Sequence, residues 1–159
     1  MANYKNRLNI FLTVAFMALS LAGCQRESHQ NTGLMASELN ACPNTPNCVQ
    51  SSDESDESHY MKPWKYSAPR EITYDLLLEK LRETNRVKIA SAEENYIHAV
   101  FTIPLFGFKD DVEFYFPGNE NTIHFRSASR VGHSDLGVNK RRMNTLRKAL
   151  IRQGTIIEQ

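Results

Sequence analysis

Cysteine is scarce in this 159-residue chain, with three copies, and neither sign of charge dominates: 19 Lys+Arg stand against 18 Asp+Glu, a formal net charge of +1. So balanced a composition argues against a dedicated nucleic-acid binder, which carries a basic excess. Only one long apolar run exists, Ile10–Leu21, which excludes a polytopic membrane protein. No internal repeat is visible. A phosphate-cradling P-loop is missing as well. Gly132 and Gly137 have its glycine spacing, but Val138-Asn139 stands where Lys-Ser/Thr is required. What the chain does have is 41% hydrophobic and 9% aromatic residues, which suffices for a core and excludes a wholly disordered chain. Its length allows one domain and makes two improbable.

The start reads as an address. Met1–Asn9 carries Lys5 and Arg7 and no acid, and the 12-residue run Ile10–Leu21 is too short to span a bilayer. A charged start, a short apolar middle and small residues at the end form a secretory signal peptide, here residues 1–23. Its ending, Leu21-Ala22-Gly23-Cys24, resembles the lipobox of bacterial lipoproteins, in which the peptide is cut before the cysteine and that cysteine is acylated. The mature chain expected from this is Cys24–Gln159, with 17 Lys+Arg against 18 Asp+Glu, a balance of −1. Acylation on more than one chain anchors stably where a single chain does not. Gln25, in place of the Asp that marks inner-membrane retention in proteobacterial lipoproteins, points to the periplasmic face of the outer membrane. A membrane through Cys24 is therefore the expected partner, and nucleic acid is not.

Cys42 and Cys48 remain, in Cys42-Pro43-Asn44-Thr45-Pro46-Asn47-Cys48. An even pair in an oxidising compartment reads as a disulfide. So short a loop contributes only roughly 2–2.5 kcal/mol in the chain-entropy account. Free thiols and a metal site are the competing readings. A metal needs two further ligands at suitable spacing, and none lies nearby. No metal and no cofactor is expected.

Residues 24–40 are polar and read as a flexible tether, and 41–159 as a single globular domain. Gln50–Ser58 has four acids and no apolar residue and reads as a solvated loop. Thr73–Asn85 places Tyr74, Leu77, Leu78 and Leu81 on one helical face, with Thr73 as cap and Ile72 stapling onto Leu77. Four stretches alternate with period two: Arg86–Ser91, Tyr96–Ile103, Asp110–Phe116 and Asn121–Ser127. Glu93-Glu94-Asn95 and Pro117-Gly118-Asn119 are turn-like joints, so antiparallel hairpins are expected. A last helix, about Asn139–Gln153, has Met143, Leu146 and Leu150 on one face, Asn139 as cap, and Gly154 where a C′ residue belongs. The fold class is α+β: a small antiparallel sheet of about four strands with two helices packed on one face.

Four stretches carry a family likeness: Cys42–Ser52 (CPNTPNCVQSS), Leu105–Phe114 (LFGFKDDVEF), Arg126–Asn139 (RSASRVGHSDLGVN) and Arg141-Arg142. In order and spacing they resemble the bacterial and plastid family called domain of unknown function 1499, over roughly Cys42 to Leu150. The family's name assigns no activity, so the resemblance implies motifs and no reaction.

The chemistry those motifs can hold is limited. Adjacent strand residues point to opposite faces, so Asp110 and Asp111 cannot form a side-by-side dyad on a regular strand. Asp111 and Glu113 do share a face, and in-register pairing sets one of them opposite Arg126. That is a cross-strand ion pair worth about 0.2–1 kcal/mol, or, in the alternative reading, a general acid/base pair. His133, Ser134 and Asp135 have the letters of a hydrolytic triad, but three consecutive residues cannot easily converge as the relay demands. Ser127 or Ser129 with His124 or His133 lacks a nucleophile-elbow motif.

Arg126–Arg152 holds eight Lys/Arg against one acid, Asp135. Asn139-Lys140-Arg141-Arg142 opens a helix with three cations, where acids belong. Rules broken locally mark functional sites. The partner is either internal, such as Asp111 or Glu113, or an external anion at Arg126, Arg130, Arg141 and Arg142. Two functions follow. One is a non-enzymatic, lipid-anchored envelope domain that binds an anionic ligand or supports envelope integrity. The other is an envelope enzyme using Asp111 and Glu113 with the arginines on a phosphate- or carboxylate-bearing substrate.

Overall fold

The computed structural model describes residues 32–35, 38–104 and 106–158. Cys24 and the signal-like start lie outside the described residues.

Six strands form one sheet: β3 (Cys48–Gln50), β4 (Trp64–Lys65), β5 (Val87–Glu93), β6 (Tyr96–Thr102), β7 (Lys109–Tyr115) and β8 (Thr122–Ser129). Their order is β3-β8-β7-β6-β5, with β4 also on β8, and every pairing of named strands is antiparallel. Two short strands, β1 (Leu34–Met35) and β2 (Glu38–Leu39), form a separate hairpin. The helices are α1 (Arg70–Glu83) and α2 (Val138–Arg152).

The α+β class holds, but the sheet has six strands rather than about four. The four alternating stretches are β5 to β8. The two additional strands run along the outer edge of β8, β3 opposite Arg126–Ala128 and β4 opposite Thr122–Ile123. They are two and three residues long, too short to display alternation. Gln50 and Ser51 therefore belong to the interior and not to a solvated loop.

One face of the sheet and both helices share a core. Ile97, Ala99 and Phe101 of β6, Val112 and Phe114 of β7, and Ile123 and Phe125 of β8 pack with Leu77, Leu78 and Leu81 of α1 and Met143, Leu146 and Leu150 of α2. Trp64 packs in tilted geometry against Phe125 and Phe114, with ring centroids 4.9 and 5.7 Å away. Full burial of each such side chain contributes about 1.5–3 kcal/mol.

Helix ends differ from expectation. α1 starts three residues before Thr73, after Pro69, and the Thr73 hydroxyl donates back to the Pro69 carbonyl at 3.1 Å. Ile72 lies inside the helix, half exposed. α2 starts at Val138, after Gly137 at φ +77°, and Asn139 is a buried first-turn residue rather than the cap. At the far end Gly154 adopts φ +71°. Its N–H reaches Ile151 O, and that of Thr155 reaches Leu150 O, the Schellman pattern.

The opposite face of the sheet is partly covered by the β1–β2 hairpin. Leu39 is buried against Tyr96 and Tyr115, with Leu34 beside it. The ordered fold therefore reaches back into the stretch read as tether, because Leu34 and Leu39 supply apolar anchors that the surrounding polarity masks.

Candidate functional site

Strand β7 presents three carboxylates in four residues, and the pleat divides them between two faces. Asp110 points toward α2, whereas Asp111 and Glu113 point to the opposite face. All three are buried, at 2%, 1% and 0% exposure.

On the α2 side, Asp110 Oδ2 pairs with Arg142. The same guanidinium donates to Asn139 Oδ1 at 2.5 Å and Ser127 Oγ at 3.1 Å, and lies 4.8 Å over the Phe101 ring. Asn139 is the hub. Its Nδ2 donates to Asn47 O, Ser129 Oγ and Asp135 Oδ2 at 2.9–3.0 Å, and its Oδ1 accepts from Ser127 at 2.6 Å. Asp135 accepts the backbone N–H groups of Gly137 at 2.9 Å and Asn139 at 2.6 Å, so it performs the capping expected of Asn139. Asn47 donates to Gly132 O at 2.6 Å. The neighbouring Cys48 is disulfide-bonded to Cys42, which ties this loop down.

On the opposite face, Glu113 and Arg126 are directly opposed in register, 3.1 Å apart. Glu113 also accepts from Tyr96 Oη and from the Gly33 backbone, both at 2.7 Å. Burial raises the Tyr96 phenol above its ordinary value, and the Glu113 charge raises it further. Asp111 receives a bidentate pair of bonds from Arg130, both 2.9 Å, and one from His98 Nε2 at 2.7 Å. Burial pushes the Asp111 carboxyl up, but the His98 and Arg130 hydrogen bonds and the Arg130 charge outweigh it and hold the group at about 2.

Of the four arginines read as anion contacts, Arg126, Arg130 and Arg142 each hold a β7 carboxylate. Arg141 is exposed and donates to Leu136 O at 2.7 Å. His133 and Ser134 lie exposed in the loop before α2. His124 lies at the other end of β8, beside Ser51 and Glu120, apart from Ser127 and Ser129. No group of three or more His, Cys, Asp or Glu fit to hold a metal occurs among the described residues.

Sequence reasoning missed an open cleft of about 420 Å³ between the β6–β7 connection and the loop before α2. Ile103, Phe106 and Phe108 form one wall, and Val131, Leu136 and Val138 the other. Asp110 and Ser129 also line it. The available signal was the pair of phenylalanines in Phe106-Gly107-Phe108, which sit outside any alternating pattern. A second cleft of about 470 Å³, near Glu38, Tyr115, Glu120 and His124, is polar.

No helix among the described residues is long and apolar enough to cross a membrane. No curated protein and no solved structure matches the chain. The network joining Asn47, Asp110, Ser127, Asp135, Asn139 and Arg142 links the quoted motifs at distant points of the sequence, and all of it falls within residues 38–150, which match the model described as "Protein of unknown function (DUF1499)"; the chain belongs to that family.

Proposed function

We propose that the chain is a lipid-anchored, non-enzymatic domain of the bacterial cell envelope that binds an anionic ligand. The observation that carries this reading is the closure of all three β7 carboxylates on arginines in the interior. A general acid or base must come within hydrogen-bond reach of a substrate, and groups at 0–2% exposure already bound to guanidinium do not. That closure disfavours an envelope enzyme built on Asp111 and Glu113. A run of exposed cations lies on α2, which contains no acid: Lys140, Arg141, Lys148 and Arg152 are exposed and have no carboxylate partner among the described residues. Lys140 and Arg141 lie in its first turn, where the helix dipole adds positive potential. The signal-like start, Cys24 and Gln25 support anchoring at the periplasmic face of the outer membrane.

A thermal-shift titration against phosphate, lipid headgroups, lipopolysaccharide fragments and peptidoglycan pieces tests the reading. A ligand at 100 times its dissociation constant adds roughly 2.7 kcal/mol. The expected result is a salt-sensitive shift that disappears in the Lys140→Ala/Arg141→Ala variant. No shift with any of these anions sinks the anion-binding reading.

A further inference from the structure

We propose that the tips of the β6–β7 connection and of the loop before α2 form a membrane-docking surface for an anionic bilayer. This rests on the anion-binding reading and names its ligand as a headgroup layer. Three observations meet at one place.

The first is apolar exposure. Phe106 is 68% exposed and Leu136 84%, and they line the same cleft from opposite walls. Phe106 and Phe108 stack with ring centroids 5.5 Å apart, so the aromatic tip is a preformed block. Single exposed apolar residues need no explanation, but a cluster across two loops marks an interaction surface.

The second is strain. Leu136 adopts φ +53°, a left-handed conformation unfavourable for a branched side chain. Its backbone is held there by bonds from Leu136 N to Ser134 Oγ at 3.2 Å and from Arg141 to Leu136 O. Gly or Asn relieves this backbone at no cost in the unbound domain. The fold instead holds a leucine outward into solvent, where only something apolar rewards it.

The third is charge complementarity. Arg141 is bonded to Leu136 itself, Lys140 precedes it, and both are exposed at the positive end of α2. Apolar tips flanked by exposed cations suit the headgroup boundary of an anionic bilayer, where the tips enter the acyl region and the cations meet phosphate.

Tryptophan fluorescence of the full chain tests this, because its one tryptophan, Trp64, is buried. A Phe106→Trp variant is incorporated into vesicles of phosphatidylglycerol or of phosphatidylcholine, with brominated lipid as quencher. The expected result is a blue shift with at least twofold quenching in phosphatidylglycerol. That response falls severalfold in phosphatidylcholine and on adding Lys140→Ala/Arg141→Ala, and is absent from the unsubstituted chain. Equal quenching in both lipids, or none in either, overturns the proposal. A blue shift that rises with protein concentration without vesicles assigns the surface to a second copy and overturns it too. If glycerol phosphate still raises the melting temperature while quenching is absent, docking fails and the anion-binding reading stands. If both are absent, both fail.

Discussion

At the residue scale, Asp110 and Asp111 are chain neighbours that the pleat sends to different partners. Asp110 meets Arg142 of α2, and Asp111 meets Arg130, just past β8, and His98 of β6. Removing one partner of a buried pair strands the other charge, whereas replacing both with apolar groups is near neutral. Asp110→Asn is therefore expected to destabilise by about 3 kcal/mol, and Asp110→Leu/Arg142→Met to recover most of that loss. Denaturant titrations of the single and double variants measure both. Asp111 carries a pH signature. Its folded value, about 2, lies below the ordinary 3.8, so its contribution is fully present above about pH 4 and is lost as pH falls through the folded value. By linkage that contribution is about 2 kcal/mol. Asp111→Asn is expected to flatten stability between pH 4 and 2 relative to the parent chain, as followed by thermal melts. An unchanged slope refutes the assignment.

At the element scale, α2 opens against its dipole, and the fold compensates with one residue distant in sequence and one just before the helix. Arg142 is neutralised by Asp110, thirty-two positions away, and Asp135 serves the first free N–H groups. Asn139 then anchors the helix to the disulfide loop through Asn47. Reducing Cys42–Cys48 is expected to lower stability by roughly 2 kcal/mol and to loosen the start of α2 in particular. Hydrogen exchange with and without reductant checks this. Uniform loss of protection, or none around residues 138–142, contradicts the link. The helices and the four long strands were legible from periodicity, since each carries its apolar residues at a regular spacing. β3 and β4 were not, because a two- or three-residue strand has no period and exists only by pairing with β8.

At the scale of the whole molecule, the sheet is shielded on one face by both helices and partly on the other by β1–β2, and the N–H of Gly33, the residue before β1, completes the shell of Glu113. The stretch leading to Cys24 is thus joined to a firm domain. Cys24→Ala is expected to leave the chain unacylated and to move it from the membrane fraction to the soluble fraction. Its retention in membranes after a high-salt wash, which releases the contact of Lys140 and Arg141 with headgroups, sinks the lipobox reading, since Phe106, Phe108 and Leu136 alone bury too little to hold a protein.

The sequence by itself determined the α+β class, the alternation that sends Asp110 and Asp111 to opposite faces, and the Cys42–Cys48 pair. Those are local properties: period, pleat and parity of cysteines. Only the tertiary structure decided which cations are neutralised. Arg126, Arg130 and Arg142 look alike in the chain to Arg141, yet register and helix placement set the first three against buried carboxylates and leave Arg141 in solvent beside Leu136. The cleft likewise arises where two loops meet that are more than twenty residues apart in sequence. Long-range pairing fixes both outcomes, and no window along the chain contains it.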